Sequence, residues 1–439
     1  MAKIYDESIN VLDAAISRIE YLFSEFDHLV VAFSGGKDSG VLLNLCYDYA
    51  KTHNQLCKLG MYHLDYEAQY QMTTDYVTES FEKFKDIQRY WLCLPIKAQC
   101  STSMHQNFWT PWNESERGIW VRDMPQHPYV INQDNCGFDY DDWDYTVQDN
   151  FGEWFSNTHS GKTCVLVGLR SQESLQRQAA ISSARKVNQY NGSHYTIKKR
   201  TFAVSYPLYD WQTEDIWIAN AKKGWAYNKL YDLFYQAGLS IHQMRVASPF
   251  NDYAQNSLKL YKAIDPNNWG RMIGRVNGVN FTAIYGGTKA MGWKSIQKPT
   301  NFTWEEYMYF LLDTLPEDTR NRYLEKLNTS IKFWREKGGV LDDKTIRELK
   351  ECGIGVDAGG DTNYKTDKTP CRFSSYPDDA DVTEFKSVPT YKRMCVCIMK
   401  NDHTCKYMGF SQTKAETQRR KDAITKYKGI IRGGNEDGD

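Results

Sequence analysis

The chain has 439 residues, with 54 Lys and Arg against 55 Asp and Glu, 41% hydrophobic and 14% aromatic residues. That length allows two or three domains with sizeable cores, the composition excludes a disordered chain, and the balanced charge excludes a polyanion binder over its whole surface, leaving only local patches. No run of 18 apolar residues and no signal peptide occurs, and the start, Met1-Ala-Lys-Ile-Tyr-Asp-Glu7, is polar and mixed in charge, so a cytoplasmic protein without membrane contact is expected.

Ile9, Leu12, Ile16, Ile19 and Leu22/Phe23 recur at helical spacing and predict an amphipathic helix over 5–26. The apolar run His28–Phe33 predicts a buried strand, and Val41–Leu45 predicts the body of a helix. Between them stands Ser34-Gly35-Gly36-Lys37-Asp38-Ser39. A strand, a Gly-Gly turn and a helix N-terminus make an anion site, because the glycines admit an oxyanion close to backbone N–H groups and the helix dipole favours negative charge. Lys37 adds a point charge and the two serines add hydroxyl donors, so a phosphate chain is the expected ligand. The adjacent glycines and Asp38 depart from the Walker loop, which needs Gly, four residues, then Gly-Lys-Ser/Thr.

Further on, Cys57–His63 predicts a second strand with Asp65 and Glu67 at its carboxyl end, a helix follows near 68–84, and strands are predicted at Ile87–Pro95 and Thr163–Gly168. Strands alternating with helices imply a doubly wound parallel sheet, whose ligands sit at the carboxyl ends of the strands. Residues 97–160 interrupt the pattern, and their part 134–154 holds seven acidic residues, no Lys or Arg, and several aromatics, which reads as a segment packed on its own domain or, alternatively, as a lid or subdomain whose acidic-aromatic surface meets a basic partner. Gly168-Leu-Arg170-Ser-Gln-Glu173-Ser174, with Arg177 seven residues beyond Arg170, puts two arginines two helical turns apart, able to face one anion. In Tyr206–Trp217, Pro207 ends a strand, Thr213 caps a helix, and the tryptophans pack it, leaving Asp210 as the plausible site residue.

Past about residue 240 the chain reads as helical, with helices at Phe302–Leu315 and Arg320–Lys337 and another from Asp343 ending at Gly353. Residues 353–383, rich in Gly, Asp, Thr and Pro, read as a loop. Between Phe385 and Arg432 stand twelve Lys/Arg and three acids, a solvated basic face or a nucleic-acid surface. The expected organisation is therefore a nucleotide domain over 1–240 with the 97–160 segment inserted, a helical domain over 241–352, a linker over 353–383, and a basic segment over 384–439 with a disordered tail.

Five segments carry a resemblance. Ser34–Ser39 resembles the SGGxDS pyrophosphate loop (PP-loop) of the N-type ATP pyrophosphatases. Gly168–Arg177 and Tyr206–Trp217 resemble two blocks of the phosphoadenosine phosphosulfate (PAPS) reductase family within that superfamily. Tyr227–Val246 and Lys400–Gly409 resemble its DUF3440 branch, which includes proteins similar to the immunoglobulin-binding regulator A of enteric bacteria. The resemblance implies an adenine nucleotide α-hydrolase-like fold and ATP or PAPS as ligand, with Mg²⁺ and Asp38 as its candidate carboxylate. It implies a nucleotide site of Ser34, Gly35, Gly36, Lys37, Asp38, Ser39, His63, Asp65, Gly168, Arg170, Glu173 and Ser174, with Lys37, Asp38, Arg170 and Arg177 catalytic, and a ParB-like/sulfiredoxin-fold partner.

The reductase's thiol chemistry lacks its parts. Glu351-Cys352-Gly353-Ile354 is followed by Gly355 where the family tail has His, and the chain has neither adjacent cysteines nor Cys-x-x-Cys, so no iron–sulfur cluster is expected. Cys395, Cys397, His403 and Cys405 have spacings that zinc could use, but the stretch also reads as core. The expectation is chemistry at the α-phosphate of ATP, with a PAPS reductase or sulfotransferase and a nucleotide-gated regulator as alternatives.

Overall fold

The computed structural model describes residues 9–103, 106–173, 177, 181, 189–246, 248–251, 254–285, 296–360 and 367–410, and the chain divides into two compact units, Met1–Gly286 and Gly287–Asp439. In the first, α1 (Val11–Glu25), β1 (His28–Ala32), α2 (Lys37–Thr52), β2 (Leu59–Leu64), α3 (Gln71–Lys83) and β3 (Gln88–Leu92) follow in turn. Next come β4 (Val130–Ile131), α4 (Asp144–Thr158), β5 (Thr163–Val167), β6 (Gln189–Tyr190), β7 (Ser193–Lys198) and β8 (Ala203–Ser205). Helices α5 (Thr213–Lys223), α6 (Leu230–Gln236), α7 (Pro266–Arg275) and α8 (Val279–Tyr285) complete the unit.

The strands form one sheet in the order β4-β3-β2-β1-β5-β8-β7-β6. The first six are parallel, and the β6–β7 hairpin adds an antiparallel edge. The order reverses at β1, so the crevice of this doubly wound sheet opens between the carboxyl ends of β1 and β5. Helices cover both faces. Leu29 and Val31 pack with Leu22, Phe23, Leu42 and Cys46 of α1 and α2, whereas Val30 packs with Val147, Phe151 and Phe155 of α4. That alternation is the period of two of a strand buried on both sides.

Two boundaries differ from the sequence expectation, and one segment takes an expected form. The 97–160 segment packs on its own domain, one of its two expected forms, since it supplies the edge strand β4 and the sheet-covering α4, with Phe138, Tyr140, Phe151, Trp154 and Phe155 in or against the core beside the sheet. The compact unit that holds the nucleotide domain continues past 240 to 286, because Met244, Phe250, Leu258, Tyr261, Trp269, Met272, Val276 and Val279 share a core with Ala68, Tyr70, Cys100 and Trp109.

The 353–383 stretch holds two strands. The second unit contains α9 (Trp304–Asp313), α10 (Glu317–Lys332), a π-helical turn (Phe333–Lys337), β9 (Gly339–Leu341), α11 (Asp343–Glu351), β10 (Val356–Ala358), β11 (Thr369–Phe373) and α12 (Tyr391–Met399). Its sheet, β9-β11-β10, is antiparallel, and Cys371 and Phe373 are buried with Arg372 outside between them. A flanking run of Gly, Asp and Thr hides this short alternation. The basic segment also changes character: α12 is core, with Arg393 buried and donating to the Val388 carbonyl at 2.7 Å. Residues 411–439, with most of its basic residues, lie outside the described residues.

None of the described helices is long and apolar enough to cross a membrane. A fragment of residues 1–240 should fail to fold cooperatively in a urea titration, whereas 1–286 should unfold in one transition. Each large side chain left without its partners forfeits about 1.5–3 kcal/mol, and their sum exceeds the ~5–15 kcal/mol that holds a domain together.

Candidate functional site

The Ser34–Ser39 loop sits at the carboxyl end of β1, and its shape is dictated by its glycines. Gly35 has φ +74°, and a Cβ there would meet Val77 Cγ2 at 2.9 Å, so only glycine makes this turn without strain. Gly36 is the N-cap of α2. The Asn228 side-chain amide donates to the Gly35 carbonyl at 3.0 Å and to Thr73 Oγ1 at 2.9 Å, fixing the turn from α3 and the segment before α6. Within the loop the Ser34 amide donates to Ser39 Oγ at 3.2 Å and the two serine hydroxyls lie 3.0 Å apart. The Lys37 amide, aimed out of the helix N-terminus, donates to the Tyr231 hydroxyl at 3.1 Å.

The loop's charges are linked to the end of β5. Lys37 Nζ donates to Asp38 Oδ2 at 2.9 Å, and Arg170 Nε takes Asp38 Oδ1. Arg170 lies 3.8 Å from Glu173, and Glu173 pairs with Arg177. The result is an alternating row, Lys37–Asp38–Arg170–Glu173–Arg177. Gln172 and Thr213 also hold Arg170, at 3.2 and 3.3 Å. Gly168 is required by close approach, since a Cβ there would meet the Asp38 carbonyl and the Ser39 amide at 3.0 Å. Burial works to raise the Asp38 pKa, but Lys37 and Arg170 outweigh it and hold the carboxyl below its ordinary 3.8.

The structure thus brings Ser34, Gly35, Gly36, Lys37, Asp38, Ser39, Gly168, Arg170 and Glu173 together. It changes the role of others. The anion that Arg170 and Arg177 share is Glu173, and Arg177 stands at the outer end of the row. Ser174 lies outside the described residues.

His63 is buried, with Nδ1 2.8 Å from the Phe33 carbonyl, and burial lowers its pKa, so it supports the loop as a neutral ring. Asp65 is fully buried and committed: Arg122 binds both its oxygens, and Trp91 Nε1 and the Glu67 amide donate to it at 2.7 and 2.8 Å. Glu67, at φ +62°, accepts from the Trp112 and Val121 amides and from Arg275 at 2.9 Å. These acids frame the site from behind. Asp210 likewise is held by Arg18 at 2.6 Å.

Asp38 does not fit as a magnesium ligand in this arrangement, because both its oxygens are taken by cations. Among the described residues no three His, Cys, Asp or Glu side chains converge as a metal site. The zinc reading of Cys395, Cys397, His403 and Cys405 fails with it. Those thiols are buried, with Cys395 directed at the Trp304 carbonyl and Cys397 at Asp402, and burial pushes both thiol pKa values up. Cys352 is exposed and caps α11, with Gly353 at φ +75° ending the helix as expected.

Sequence reasoning did not assign Asn228, Tyr231, Gln172 or Thr213 to the site. Asn228 and Tyr231 stand in the Tyr227–Val246 segment that carried the family resemblance, but nothing in their spacing points back to residue 35.

Residues 28–237 match the family described as the phosphoadenosine phosphosulfate reductase domain, and residues 238–419 match DUF3440, a domain of unknown function. The uncharacterised protein YbdN of Escherichia coli K12 is 30% identical over 419 residues, covering 94% of this chain and 93% of that one. Among solved structures, the FMN adenylyltransferase of Candida glabrata, in complex with FMN and the ATP analogue AMPCPP, is 14% identical with a TM-score of 0.30, over 52% of this chain and 63%, less than two thirds, of its own. The PAPS reductase of Candida auris is 11% identical with a TM-score of 0.26, over 50% of this chain and 84% of its own.

Because the Asp38 pKa is depressed, its contribution to stability is complete above its unfolded value near 3.8 and is lost as pH falls through the folded value. Asp38→Asn should therefore destabilise the protein by about 1.5–3 kcal/mol at neutral pH, the worth of a charge-assisted hydrogen bond. The difference between the melts of the two proteins should begin to shrink as pH falls below about 3.8 and should close only once the pH has passed the lower folded value.

Proposed function

The chain belongs to the PAPS reductase-like family, in its DUF3440 branch, and from that premise we propose that it is an ATP-using enzyme that cleaves between the α- and β-phosphates and transfers the adenylyl group. The observation that carries this reading is the Gly-Gly turn at the sheet's switch point, with Lys37 and Arg170 poised on Asp38 and no thiol among the groups bonded to the loop. A thiol-based reductase of this family uses a Cys-Gly-x-His tail; here Cys352 is exposed but lacks that His, and the thiols at 395 and 397 are core side chains.

ATP enters with its phosphate chain toward the loop. The β- and γ-phosphates take the loop's amides and the N-terminal end of α2, where the field favours anions. Lys37 and Arg170 release part of their hold on Asp38 to bind phosphate oxygens, and Arg170 faces the negative charge that grows on the pyrophosphate as it leaves. An acceptor oxygen or amine attacks the α-phosphorus. Its bond to phosphorus forms, the bond to the bridging oxygen breaks, the acceptor gives up its proton, and pyrophosphate departs. Asp38 keeps the two cations apart and oriented before substrate arrives. The family resemblance carries the further proposal that a ParB-like/sulfiredoxin-fold partner works with this chain.

Pyrophosphate release from ATP, followed with the partner present, should fall at least ~100-fold in Lys37→Ala, which removes a cation facing the transition state, and should also fall in Asp38→Ala, which leaves Lys37 and Arg170 without the carboxylate that orients them. Undiminished release in both variants contradicts the proposal. Tyr231→Phe removes the hydroxyl that holds the Lys37 amide. It should tighten ATP binding by a factor of ~3–10, the value of one neutral hydrogen bond no longer displaced, as measured by calorimetry.

A further inference from the structure

A second cleft, of about 670 Å³, lies within the unit Gly287–Asp439. That volume falls within the range of small-molecule sites, about 300–1,000 Å³. One wall is the end of α10 and the π-helical turn after it, and the other is the outer face of β10 and β11. Turns of the π type are rare and occur often at functional sites.

The cleft's chemistry is specific. Lys332 and Arg335 stand on the helical wall, three residues apart, and neither has an ion-pair partner among the described residues. Arg372 faces them from β11. It meets its cross-strand neighbour Asp357 at 3.6 Å, but the side chains are 53% and 74% exposed. A pair so exposed is worth little, so Arg372 is free to turn to a better anion. Arg is the side chain suited to phosphate, which its planar fork binds through two donors. Phe373 is buried beneath the cleft, where its ring meets Trp334 at 5.2 Å between centroids and holds β11 against the helical wall. Glu336 and Asp357 add acceptors to the same cleft. Acceptors beside three cations suit a ligand that carries both a phosphate and hydroxyl groups. They repel a continuous polyanion such as nucleic acid.

We propose that this cleft binds a small phosphate ester of a hydroxylated body, a sugar phosphate or a mononucleotide, with Lys332, Arg335 and Arg372 on the phosphate and Glu336 and Asp357 on the hydroxyls. The site is separate from the Ser34–Ser39 loop and stands whether or not that loop binds ATP.

Ribose 5-phosphate, titrated into the full chain, is the direct probe. It should bind, ribose should not, and Lys37→Ala should leave its affinity unchanged. The double variant Arg335→Ala/Arg372→Ala should weaken it about tenfold or more, as expected for two charge-assisted contacts. A second readout needs no variant: ribose 5-phosphate should slow phenylglyoxal modification of Arg335 and Arg372, measured on peptides by mass spectrometry. Affinity lost in Lys37→Ala and kept in the double variant would overturn the proposal. So would the absence of binding, or protection of the two arginines by a single-stranded oligonucleotide and not by ribose 5-phosphate.

Discussion

The row of alternating charges from Lys37 to Arg177 is the constraint around which the first unit is organised. A helix N-terminus, a lysine and an arginine brought to one point in a sheet crevice repel one another, and removing such charges from water is costly. Asp38 and Glu173 make the arrangement stable without a ligand, by standing between the cations. The same row fixes distances in the fold. It binds the start of α2 to the end of β5, and the Gly168 backbone lies against that of Asp38 with no room for a side chain.

Behind this row lies a second tier of buried ion pairs, Asp65 with Arg122 and Glu67 with Arg275. Removing one member of such a pair leaves an uncompensated charge, which typically destabilises by about 3–5 kcal/mol. Arg122 comes from the segment that interrupts the α/β pattern in sequence, and Arg275 from a helix beyond the expected domain end. Both additions are therefore needed to neutralise the acids that follow β2. The division of labour is physical: the acids at the end of β2 hold the frame, and the acid at the start of α2 holds the reactive cations until a phosphate competes for them.

Much of this was legible in the sequence. The Ser34–Ser39 string in its strand–turn–helix setting, the parallel sheet, the Gly168–Glu173 turn and the Gly353 helix end are local signals, in which neighbours in sequence are neighbours in space. What was hidden depends on long-range contacts. Asn228 reaches Gly35 across 193 residues and Tyr231 reaches Lys37 across 194, and no periodicity records such pairs. Asp65 looked like a ligand-facing acid because its position at a strand end is where ligand-facing acids occur. Only the placement of Arg122 reveals that it is spoken for. The strands near 356 and 371 were hidden for another reason: three to five residues of alternation are too few to stand out from Gly- and Asp-rich flanks.

The central claim is that the Lys37–Asp38–Arg170 cluster is built for the phosphate chain of ATP, and calorimetric titration of the full chain with ATP and Mg²⁺, and separately with PAPS, tests it most directly. The account predicts saturable binding of ATP in preference to PAPS, at one site per chain. Preference for PAPS would contradict it and return the chemistry to sulfur.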